Sequence, residues 1–90
     1  MNVRILKYPM ADMIEAEIVM PERAKIRMFR FQRGVPMLWA EVREDEARNR
    51  KRKFRLVVTG DVIGPVLEYV GSDMSADGSF ELHCYEMYFS

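Results

Sequence analysis

The residues of this chain that could do chemistry are mostly cations. Arg48-Asn49-Arg50-Lys51-Arg52-Lys53-Phe54-Arg55 places six cations in eight residues. Such a density engages phosphates by ion pairing and counterion release. The ordinary alternative is a solvated, charged loop. Glu44, Asp45 and Glu46 just upstream favour that alternative, since Glu44–Arg48 and Glu46–Arg50 pair at i,i+4 if a helical turn forms. A second cluster lies in Ala24–Gln32. At strand period, Lys25, Arg27, Phe29, Phe31 and Arg33 share one face, while Ala24, Ile26, Met28, Arg30 and Gln32 share the other. An exposed row of Arg and Phe stacks a base and holds a phosphate together. Against this, large aromatics at strand spacing usually fill a core, with a residue such as Arg27 snorkelling over it. The candidate anion contacts are therefore Arg27, Arg30, Arg33, Arg48, Arg50, Arg52 and Arg55, with Phe29 and Phe31 as candidate aromatic contacts.

Other chemistry has little to build on. The single histidine, His83, is adjacent to the single cysteine, Cys84. Neighbours on a strand point to opposite faces, so they form neither a dyad nor half of a zinc site, which needs about four ligands at about 2.0–2.3 Å. Glu15 and Glu17 read as the solvent face of a strand rather than an acid–base pair. Gly60-Asp61-Val62-Ile63-Gly64 lacks the Lys-Ser/Thr of a phosphate-binding loop and the third glycine of a dinucleotide turn. No catalytic residue, metal or cofactor is expected, and the chain reads as a binding protein rather than an enzyme.

The elements that must position these residues belong to one domain, residues 1–90. A chain of this length buries roughly 60–65% of its unfolded surface, enough for one core. The hydrophobic fraction is 49%, that of a folded protein. One cysteine permits no internal disulfide, which points to a reducing cytoplasmic setting. The longest apolar runs fall well short of the roughly 20 residues that span a bilayer, and no signal peptide is evident.

Net charge is zero, 14 Lys and Arg against 14 Asp and Glu. The zero is a cancellation. Residues 1–55 hold every Lys and Arg with eight acids, a balance of +6, and residues 56–90 hold six acids and no cation, a balance of −6. Either copies associate basic face to acidic face, as a homo-oligomer, or strands of the two halves neutralise each other within one molecule.

Alternation of apolar and polar residues dominates, with no sustained helical period. Strands are expected at Val3–Tyr8, Ile14–Met20, Ala24–Gln32, Met37–Val42, Phe54–Thr59, Leu67–Ser72 and Phe80–Phe89. Gln32-Arg33-Gly34-Val35-Pro36 supplies a hairpin turn and Ala76-Asp77-Gly78-Ser79 another. Residues 43–53 are expected as a charged loop between strands, and residues 60–67 as a loop or one short helical turn. Trp39 has the volume to anchor the core. The fold class is mainly β, a small antiparallel meander closing into a barrel or sandwich.

Several of these residues form a series: Lys7-Tyr8-Pro9, Met20-Pro21, Gly34-Val35-Pro36-Met37-Leu38-Trp39-Ala40, Thr59-Gly60, Tyr69-Val70-Gly71 and the closing Phe80–Glu86. The series resembles a family of small bacteriophage and prophage proteins of unknown function, over nearly the whole chain. Asp61 stands where that family usually has histidine. The resemblance implies a phage accessory protein in the cytoplasm of an infected bacterium, countering a host defence system by stoichiometric binding. The leading expectation is an oligomer that sequesters an anionic nucleotide signal through its arginines. The alternatives are direct inhibition of a host protein or protein–nucleic-acid complex, with nucleic acid held by the 48–55 loop, or a minor virion component.

Overall fold

The computed structural model describes residues 2–10, 12, 14–66 and 68–88. Seven strands follow in order: β1 (Val3–Pro9), β2 (Glu15–Pro21), β3 (Lys25–Gln32), β4 (Val35–Arg43), β5 (Asn49–Val58), β6 (Glu68–Met74) and β7 (Glu81–Met87). All pairings are antiparallel. They form a three-stranded sheet, β1-β4-β3, and a four-stranded sheet, β2-β5-β7-β6, packed face to face as a small sandwich. The expected ends at Leu67 and Phe89 lie outside the described residues.

Alternation decides what goes inside. On β2, Ala16, Ile18 and Met20 are buried between the exposed Glu17 and Val19. On β4, Pro36, Leu38, Ala40 and Val42 face inward, and on β7 Leu82, Cys84 and Glu86 do. Phe29 and Phe54 are the largest fully buried side chains, each contributing roughly 2–3 kcal/mol of burial. Met10, from the β1–β2 connection, closes the core with its N–H donating to the Pro36 carbonyl at 2.9 Å. Burial pushes the Cys84 thiol up to about 12, reinforced by the Glu86 carboxylate, so this thiol stays protonated and inert.

One flank of the sandwich is joined. β3 lies beside β6, and the Phe31 N–H donates to Asp73 Oδ2 at 2.9 Å. Gly71 makes this approach possible: a Cβ there would stand 3.3 Å from the Phe29 Cβ. The β3–β4 hairpin turns on Arg33 and Gly34, both at positive φ (52° and 78°), the pattern of a type I′ turn. In the β6–β7 turn the Asp77 carboxyl is held below its usual range by the Ser79 N–H and the Ser75 and Ser79 hydroxyls.

Two expectations need correction. The charged run is not a loop over residues 43–53, because from Asn49 it is β5, an interior strand paired to β2 and β7. Acidic residues across the ladder accommodate its cations, leaving only residues 44–48 as a connection. Of the two forms expected at residues 60–67, the described residues 60–66 take the loop. Trp39 is not a core anchor. Leu38 and Ala40 are fully buried beside it, so the two-residue period sends Trp39 to the outer face, where it is half-buried between Lys7 and Met28.

Candidate functional site

The seven candidate arginines disperse over the molecule. Arg52 points inward from β5 and grips Glu86 with two bonds of 2.7 Å, Nε to Oε2 and Nη2 to Oε1. Its Nη1 donates to the Ala24 carbonyl at 2.7 Å, and its guanidinium lies 5.7 Å from the Phe54 ring centre. Glu86 is the one buried charged residue among those described, and this fork satisfies both of its oxygens. Arg55 points outward, donating to Glu15 Oε1 at 3.1 Å and to the Ile63 carbonyl at 3.2 Å. Arg48 faces Glu22 at 3.9 Å, and Arg50 is exposed at the start of β5. Arg27 pairs with Glu41 at 3.2 Å, Arg30 donates to the Phe29 carbonyl at 2.8 Å, and Arg33 sits in the hairpin turn.

Phe29 is buried and Phe31 half-buried, packed edge to face with centres 5.8 Å apart. A bulge between Ile26 and Met28 shifts the alternation, so Lys25 and Arg27 leave the phenylalanine face. The row of Arg and Phe on one surface therefore does not form. Of the seven, Arg27 and Arg52 line a common cleft of about 340 Å³, with Lys25, Tyr69, Glu68 and Glu86, and both already hold carboxylates.

The outer face of the four-stranded sheet carries a closed polar network. Lys53 and Arg55 share Glu15, and Lys51 faces Glu17. His83 stands between two hydroxyls, with Thr59 Oγ1 2.7 Å from Nε2 and Ser72 Oγ 2.6 Å from Nδ1. Thr59 donates its single proton to Glu81 at 3.0 Å, so it accepts from His83 Nε2–H. In the neutral ring Nδ1 then accepts from Ser72, and Ser72 accepts from the Tyr69 hydroxyl at 2.6 Å. Every group in this chain has its partner. The loop after β5 folds over the same face: Ile63 holds Arg55, Val57 is buried, and a pocket of about 220 Å³ against His83 and Tyr85 is left beneath it.

The outer face of the three-stranded sheet is built differently. Cross-strand rows run Ile5–Glu41–Lys25, Lys7–Trp39–Met28 and Pro9–Met37–Arg30. Val3, Ile5, Met28 and Val35 are exposed here, with Trp39 and Met37 half-buried between them. Around this apolar stripe stand Lys7, Lys25, Arg30 and Arg33. Among the described residues none of these four is paired with a carboxylate, and Lys7 instead donates to Gln32 Oε1 at 2.6 Å. Trp, Met and Arg in an exposed patch with a cationic border are the composition of a protein interface.

The charge pattern named Arg30 and Arg33 on this face but not the apolar stripe between the cations, for which β4 contained a signal. Glu41 and Arg43 share the parity of Trp39 and Met37, which marks that side of the strand as outward. The His83 network had no such signal, because Ser72 and His83 come from two strands and Thr59 from the turn after β5, and they meet only where the sheet register brings them together.

Among the described residues no helix is long and apolar enough to cross a membrane. No curated protein and no solved structure matches the chain. The family model described as a domain of unknown function (DUF7352) matches residues 1–90, and the chain belongs to that family.

Proposed function

We propose that this chain is a non-enzymatic binding protein that acts stoichiometrically, laying the outer face of its three-stranded sheet on an acidic protein surface. One observation carries the reading: the half-buried Trp39 and its exposed apolar neighbours lie inside a ring of four cations, none of them in an ion pair with a carboxylate among the described residues. Desolvating Trp39 supplies affinity, and the cations select an anionic partner and raise the encounter rate. The resemblance to phage accessory proteins makes a host defence protein the expected class of target. Sequestration of a nucleotide by the seven arginines draws less support, since they point to separate parts of the surface and most hold internal partners.

Site-specific photo-crosslinking in the host cytosol tests the proposal. A crosslinker at Val35 is expected to capture one acidic protein, and capture is expected to vanish in Trp39→Ala. A crosslinker at Val19, on the other sheet, is expected to capture nothing specific. Equal capture from both positions, or capture that survives Trp39→Ala, would overturn the reading. A thermal shift with a nucleotide in the presence of all seven arginines would favour sequestration instead.

A further inference from the structure

β1 is an edge strand with unusually little protection. It pairs with β4 through seven consecutive residues, Val3↔Arg43 to Pro9↔Met37, without a bulge. Among the described strands nothing pairs with its other side. Val3 and Ile5 are each 53% exposed and Leu6 is 37% exposed. A row of free main-chain donors and acceptors beside apolar side chains is a template for another strand. The other edges are managed. β3 is covered by β6, and on the β2 edge Glu15 and Glu17 are held in ion pairs.

We infer that β1 pairs antiparallel with β1 of a second copy, joining two three-stranded sheets into one of six strands. Of the registers that keep like charges apart, the one centred on Ile5 avoids setting Val3 against Pro9, which has no N–H to donate. Centred on Ile5, the pairing sets Ile5 against its counterpart, Arg4 against Leu6 and Lys7 against Val3. No like charges then stand directly opposite. Centring between Ile5 and Leu6 sets Arg4 against Lys7, which is destabilising. Arg4 is also neutralised within its own copy by Glu44. Zero net charge leaves little repulsion between whole molecules. The contact is isologous, so it closes at two copies and does not grow into fibres. It also brings the two outer apolar stripes side by side on one sheet. The dimer rests on the strand edge and not on the partner proposed above, so the failure of either reading leaves the other standing.

Sedimentation velocity on the full chain and three variants tests the inference. The wild-type chain is expected to sediment as a dimer at micromolar concentration. Ile5→Lys, which sets two ammonium groups together on the two-fold axis, is expected to sediment as a monomer with an unchanged strand spectrum by circular dichroism. Under mild oxidation Ile5→Cys is expected to form a covalent dimer and Val3→Cys to form little, because Val3 faces Lys7 of the other copy. Cys84 is buried and does not interfere. A monomeric wild-type chain, a dimer that survives Ile5→Lys, or equal cross-linking of Ile5→Cys and Val3→Cys would overturn it.

Discussion

The two outer faces of this sandwich hold similar side chains in opposite states. On the four-stranded sheet, Lys51, Lys53 and Arg55 meet Glu15 and Glu17, His83 is bonded at both nitrogens, and a loop lies over part of the surface. On the three-stranded sheet, Lys7, Lys25, Arg30 and Arg33 have no carboxylate partner among the described residues, and a tryptophan and two methionines lie open or half-open between them. The densest basic run pointed to the first face. Partner satisfaction points to the second, because a cation already matched by a carboxylate has little left to offer a ligand.

The sharpest way to break this comparison is to strip a partner from the saturated side. Glu86→Ala leaves the Arg52 guanidinium buried and unmatched, so urea unfolding is expected to show a loss of about 3–5 kcal/mol. A loss under about 1 kcal/mol would mean that Arg52 reaches water and is available to a ligand after all. Next in size is Trp39→Ala. Its expected cost is about 2 kcal/mol in partner binding, roughly 30-fold in Kd by titration calorimetry with the captured protein. Undiminished affinity would move the interface off the three-stranded sheet.

Smaller effects sharpen the contrast further. Thr59→Val removes the hydroxyl that links His83 to Glu81, and thermal unfolding is expected to register a loss of about 1 kcal/mol. Lys7→Ala combined with Arg30→Ala is expected to change stability by less than about 0.5 kcal/mol, since both are exposed and neither meets a carboxylate. The same double change is expected to slow association with the partner and flatten its dependence on salt, measured by stopped-flow. A drop in stability as large as that of Thr59→Val would show these cations to be structural.

Much of the architecture was legible in the residues themselves. Ala16, Ile18 and Met20 between polar neighbours describe a half-buried strand, and Arg33-Gly34 supplies the positive φ that its hairpin requires. The candidate site was less legible. Asn49–Lys53 looks like loop when read alone, and becomes strand only because Glu15, Glu17 and Glu86 lie across the ladder to receive its charge. The bulge after Ile26 likewise moves Arg27 off the phenylalanine face, a one-residue shift that no periodicity announces.

The amino-acid sequence by itself determined that this chain is an antiparallel β domain, where most of its turns lie and which side of most strands is apolar. Those properties follow from local backbone preference and two-residue alternation. Only the tertiary structure decided which charges are matched. Eight of the nine Lys or Arg ion pairs among the described residues lie within residues 1–55, and Arg52–Glu86 crosses to the acidic half. An ion pair depends on distance in space, and that distance is set by which strands become neighbours and in what register.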